Sequence, residues 1–176
     1  MTARRESNNG SRVALLDDRC LRSVLMNDMS AELRIALRSR ELATTGAWLY
    51  RLCQATANAT VTGSLSGPIA SLEPKFRQRV LDQLVRLPPS IRIADLRQLA
   101  WPMATLVQRH RLNFLNLEAV SAAQYLGAEL VLGSQQSQLL LDACEIERIR
   151  VRIVSRGPGL RPMHSGRMRA DRSEER

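Results

Sequence analysis

Apolar residues at Val13, Leu16, Cys20, Leu21, Val24 and Leu25 keep the three-to-four-residue rhythm of one helical face and predict a helix from Arg12 to Met26. Asn27-Asp28-Met29-Ser30 then supplies a break and an N-cap, because short polar side chains accept bonds from the free amides of a first turn. A second stripe, Leu33, Leu37, Leu42, Trp48, Leu49 and Leu52, continues the helical pattern, with Gly46 as its point of interruption. Gly63, Gly67 and Pro68, set among Thr, Ser and Asn, mark a loop over about residues 55–70. Ser71 is placed to cap a third helix with Pro74 in its first turn, striped by Leu72, Phe76, Val80, Leu84 and Leu87 and ended by Pro88-Pro89. Ser90 or Ala94-Asp95 opens a fourth helix through Leu96, Leu99, Met103, Leu106 and Val107, and Pro102 predicts a kink or split at Trp101. Leu115, Leu117, Val120, Ala123, Leu126, Leu130 and Leu132 predict a buried helix or helix pair, with Asn116 as N-cap, Gly127 allowing close packing and Gly133-Ser134 ending the run. The last helix is expected from about Gln135 to Ile149. Ile149, Val151 and Ile153 then alternate with Arg150 and Arg152, a period-two pattern that argues for a short strand or extended edge, with a fraying helix end as the alternative.

The expected fold is therefore mainly α: a compact domain of about six helices over residues 12–154 with a short C-terminal strand, flanked by a disordered N-terminus (1–11) and a disordered Arg-rich tail (155–176). At 176 residues and 19.7 kDa the chain fits one domain of ordinary size. With 44% hydrophobic residues it can bury a sizeable core. Only two Trp, two Tyr and two Phe are present, so aliphatic side chains must fill that core. Phe76, Trp101, Phe114 and Tyr125, scattered among Leu positions, are assigned to the core rather than to a base-stacking platform.

The formal charge of +9 is uneven: +2 in residues 1–12, +6 in residues 148–176 and +1 in the body between. A nucleic-acid binder concentrates positive charge on a folded face, so no dedicated nucleic-acid partner is expected. A regulatory nucleic-acid-binding protein using the basic C-terminal tail is the competing reading. No GxxxxGK[ST], GxGxxG or GxSxG sequence is present. Glu145 and Glu147 point apart at i, i+2 on a helix, and Asp17-Asp18 reads as a surface pair. His110, between Arg109 and Arg111, reads as a solvated turn. Cys20, Cys53 and Cys144 form no CxxC pair and no spaced cluster with His110 or His164, so the expectation is reduced thiols, no metal and no cofactor. Neither a secretory pattern at the start nor an apolar run of spanning length is visible, and a cytoplasmic location is expected.

One resemblance adds to this. The helix-like stretch LEPKFRQRVLDQLVRLPP and the later RLNFLNLEAVSAAQYLGAELVLG, with its phrase YLGAEL (Tyr125 to Leu130), resemble the SctK group of cytosolic accessory proteins of bacterial type III secretion, particularly the short HrpD-like members from plant-associated bacteria. The likeness covers about residues 72–147. It implies a non-enzymatic, all-helical adaptor with a part in virulence, joining the pod protein of the sorting platform to the cytosolic domain of the inner-membrane ring protein. On that view the protein associates peripherally with the inner membrane through its partners. Arginine suits such docking because its planar fork makes bidentate contacts with carboxylates. The residues assigned to partner binding are Arg109, Arg111 and Asn113 around the Arg-rich turn, and Arg150 and Arg152 beside the C-terminal strand; no catalytic residue is assigned.

Overall fold

The structure is a computed structural model of the chain and describes residues 12–57, 66–134 and 136–154. In chain order its elements are β1 (Val13–Leu16), α1 (Asp18–Leu25), α2 (Ala31–Leu37), β2 (Glu41–Thr44), α3 (Gly46–Ala57), α4 (Gly67–Ala70), α5 (Pro74–Val85), β3 (Ile91–Ile93), α6 (Leu96–Leu106), α7 (Phe114–Leu126), β4 (Glu129–Leu132), α8 (Gln138–Ile146) and β5 (Val151–Ile153). All five strands run parallel in one sheet of order β3-β2-β1-β4-β5. This overturns the mainly α, all-helical expectation. The fold is α/β, a doubly wound sheet with helices on both faces.

Strands β1, β2 and β4 carry no alternating pattern because they are short and covered on both sides. A parallel strand packed under two helix layers is apolar throughout and shows no alternation. In β4 even Glu129 is buried along with Leu130, Val131 and Leu132. In β1, Ala14 and Leu16 face one layer while Leu15 faces the other, and all three join without a gap to the stripe of α1. The helix expected over Arg12–Met26 is thus a strand, a turn at Asp17 and a helix. The second expected helix divides into α2, β2 and α3, with Gly46 starting α3 rather than interrupting a longer helix. β3 follows Ser90, so of the two expected openings of the fourth helix the one at Ala94-Asp95 holds: Asp95 is the cap of α6, accepting the Arg97 N–H at 2.9 Å.

The core lies in two layers. Cys20, Leu21, Leu33, Leu52, Val80 and Leu84 from α1, α2, α3 and α5 cover one face of the sheet with Ala14, Leu16 and Val131. Leu99, Met103, Leu106, Val120, Ala123, Leu140 and Ala143 from α6, α7 and α8 cover the other with Leu15, Leu130 and Leu132. The β1–β2 and β2–β3 connections therefore share one face and the β3–β4 and β4–β5 connections the other, as crossovers of a single hand require.

Local signals explain the element ends. Ser30 caps α2 through the Leu33 amide at 3.1 Å, as expected. Pro74 opens α5 but Glu73, not Ser71, is its N-cap. α6 runs through Pro102 unsplit, pinned by Leu99, Met103 and Leu106 in the core. Asn113, not Asn116, caps α7, accepting the Asn116 N–H at 2.9 Å, and Gly127 ends it at φ 58°, a left-handed conformation that glycine adopts without a Cβ penalty. The expected 135–149 helix shrinks to α8, while the 149–154 alternation does contain strand β5. Of the expected loop at 55–70, the ends belong to α3 and α4, and 58–65 lie outside the described residues, as do the two termini that were expected to be disordered.

Candidate functional site

In an open parallel sheet, the crevice for a ligand lies at the carboxyl ends of the strands where the strand order reverses, here between β1 and β4. Asp17 follows β1 and Gly133 follows β4; Thr44, Thr45 and Gly46 stand at the end of β2; Glu118 reaches over from α7. Asp17 accepts the Cys20 amide on Oδ1 and the Gly133 amide on Oδ2, both at 2.8 Å, so it caps α1 and ties β1 to β4. Glu118 accepts the Gly46 amide at 3.1 Å and the Ala47 amide at 2.8 Å, capping α3 from another helix. Thr44 Oγ1 donates to the Leu16 carbonyl at 3.0 Å, and Thr45 Oγ1 accepts the Trp48 amide at 3.2 Å.

Burial pushes the Asp17 carboxyl above its ordinary 3.8, against the opposing pull of its two amides, and the neighbouring Asp18 adds to the rise. Asp18 is also raised by burial, opposed by Arg51, whose Nε lies 3.2 Å from Oδ2. Asp17-Asp18 is therefore a buried pair and not the expected surface one. Each oxygen of Asp17 and Glu118 already holds a backbone amide, so the two carboxylates form a seam of caps along the carboxyl ends of the strands. Among the described residues, no group of three or more His, Cys, Asp or Glu side chains could hold a metal ion.

The residues assigned to partner binding divide. Asn113 is a helix cap, and its side chain is engaged. Arg109 Nη1 lies 2.9 Å from Glu147, the C-cap of α8, which also receives His110 Nε2 and Gln124 Nε2, each at 2.7 Å. This knot joins the α6–α7 turn, the end of α7 and the end of α8. His110 is buried in it rather than solvated. Arg152 pairs with Glu129, which also binds Arg40, so the triad spans β5, β4 and the approach to β2. Arg111 and Arg150 are exposed. Glu129 carries no signal in the sequence, and Glu147, read there only against Glu145, is the acceptor at the centre of the knot.

Burial alone would raise both acids, but the donors around them outweigh it: His110, Gln124 and Arg109 hold Glu147 below its ordinary 4.5, and Arg40 with Arg152 does the same for Glu129. Three of the buried acids, Asp18, Glu129 and Glu147, are thus paired with arginines, and Arg22 is buried as well, so their burial leaves no large positive surplus on the body.

The four aromatic residues expected in the core lie on the surface instead. Trp101 is 79% exposed, and Phe76, Phe114 and Tyr125 also face solvent. On α6, Leu99, Met103 and Leu106 point inward, so Arg97, Trp101, Ala104 and Gln108 line the outward face at i, i+4, i+7 and i+11, with Leu96, Ala100 and Val107 on its shoulder. No family model matches the chain, and no curated protein matches its sequence. The described residues thus show a switch point whose two carboxylates cap helices, and an exposed apolar helix face. Among the described residues, no helix is long and apolar enough to cross a membrane.

Proposed function

We propose that this chain is a non-enzymatic binding module that acts as an adaptor. The observation that carries this reading is the occupation of Asp17 and Glu118 by four backbone amides at the point where a doubly wound sheet ordinarily receives its ligand. Groups held this way cap helices, and each of their oxygens already accepts a backbone N–H. The exposed α6 face, uncharged from Gln98 to Gln108, supports the same reading.

The finer placement, as a sorting-platform adaptor of type III secretion at the cytosolic face of the inner membrane, rests on the resemblance over residues 72–147. The phrase Tyr125–Leu130 is the end of α7, the Gly127 turn and the start of β4, so it is not a helix segment as that likeness implies. Co-purification with pod and ring proteins tests the placement. Trp101→Ala and Arg111→Glu in a folded chain are expected to abolish capture, whereas unchanged capture removes both residues from the interface. Arg109 is unsuited to charge reversal, because a carboxylate there would face buried Glu147. Carboxylate-dependent turnover of ester or phosphodiester model substrates, lost in a folded Glu118→Gln chain, would overturn the non-enzymatic reading.

The nine arginines against three acids in residues 148–176 favour the nucleic-acid reading as a second one. Retention of RNA or DNA with a steep salt dependence, lost on neutralising Arg148 and Arg150, would support it.

A further inference from the structure

We propose that the outward face of α6 docks an acidic amphipathic helix of a partner protein. This rests on the reading of the chain as a binding module and names the chemistry of the occupant. The outward strip is apolar over Leu96, Ala100, Trp101, Ala104 and Val107, and small alanines beside one large indole leave room for a second helix to approach closely. α6 spans about 16 Å, three turns, enough for three or four anchor side chains of a docked helix.

The charge around the strip selects the occupant. From Leu96 to Leu117 the chain contains no Asp or Glu, whereas Arg97 stands on the outward face and Arg109, His110 and Arg111 wrap the far end. The Arg109 and His110 amides both bond to the Leu106 carbonyl, at 3.0 and 2.9 Å, which holds this turn directly against the end of the helix. Glu147 already holds Arg109 and His110, Asp95 caps α6 through the Arg97 backbone amide, and among the described residues neither the Arg97 nor the Arg111 guanidinium is ion-paired. The positive charge of Arg97 and Arg111 is thus left for carboxylates on the occupant. A second copy of this chain would bring Arg97 and Arg111 against like charges, and a basic helix would meet the same repulsion.

The probe is a synthetic amphipathic helical peptide with a leucine stripe and Glu at both ends, compared with its Lys counterpart, against the full chain. Of the two tryptophans, Trp48 is buried and Trp101 exposed, so emission from Trp101 reports docking. The Glu peptide is expected to shift that emission to the blue and to bind at least about tenfold tighter than the Lys peptide, a difference that shrinks with salt. Labelled-peptide anisotropy is expected to show binding lost in Trp101→Ala, and the preference reversed toward Lys in the Arg97→Glu, Arg111→Glu chain. Equal binding of both peptides, no binding of either, or a concentration-dependent dimer that Trp101→Ala dissolves would each overturn the proposal. In any of those cases, capture of a native partner through Arg111 leaves the binding-module reading standing without this occupant.

Discussion

Glu118 on α7 caps the first turn of α3, accepting the amides of Gly46 and Ala47 from 72 and 71 residues earlier in the chain. Its side chain is buried, so both bonds form away from water, and a neutral amide in its place must turn an NH2 toward one of the two N–H donors. Glu118→Gln is expected to destabilise the fold by about 2–3 kcal/mol. A calorimetric midpoint lower by roughly 4–12 °C would match that loss. An unchanged midpoint would show that the carboxylate is not structural.

Gly133 closes the seam from the other strand. A Cβ there would lie 2.7 Å from the Cβ of Arg19, while its amide must stay on Asp17. Gly133→Ala is expected to cost about 1–3 kcal/mol in urea unfolding, through overpacking. Gly67→Ala, where a Cβ meets nothing within 4 Å, is the control and is expected to be neutral or slightly stabilising.

The buried carboxylates give opposite responses to acid. Glu129 and Glu147 titrate below their ordinary 4.5 in the folded chain, so their stabilisation is present above about pH 4.5 and is lost as pH falls through the depressed folded values. Asp17 and Asp18 titrate above 3.8, so protonating them favours the fold as pH falls through their raised values. Glu129→Gln is expected to lower stability at neutral pH and to flatten the loss between about pH 5 and about pH 3. Urea midpoints across that range check it; a slope unchanged from the parent chain would mean the Arg40–Glu129–Arg152 triad contributes nothing.

Thiol reactivity follows burial. Burial holds the Cys20 thiol far above its ordinary 9.0, with Asp17 adding to the rise, and pushes Cys144 up to about 11. Cys53 is only partly buried, and burial raises it as well. Under native conditions a maleimide reagent is expected to label Cys53 first, with Cys20 and Cys144 reacting only as the chain unfolds. Mass spectrometry of the labelled peptides reads this directly, and early labelling of Cys20 would contradict the burial of α1.

Local signals with a short physical range were legible in the residues: the Ser30 cap, Pro74 in the first turn of α5, Asp95 before α6, and the alternation at Val151–Ile153. The sheet was not, because strands such as Val13–Leu16 and Glu129–Leu132 are apolar on both faces and merge with the helices beside them. Arg109 and Arg152 were recognisable as cations, but what fixes them, Glu147 and Glu129, comes from distant positions that only the fold brings near. Trp101 sits among leucines in sequence yet lies on the opposite side of α6 from Leu99 and Met103, a separation that a list of apolar positions does not reveal.

The most direct measurement is site-specific photocrosslinking in the native cell from a benzophenone side chain at position 101. A discrete adduct whose crosslinked segment is an acidic amphipathic helix is expected, and it should disappear in a chain carrying Arg111→Glu. No protein adduct from that position, together with turnover that Glu118→Gln abolishes in a folded chain, would contradict the assignment of this molecule to binding through its surface.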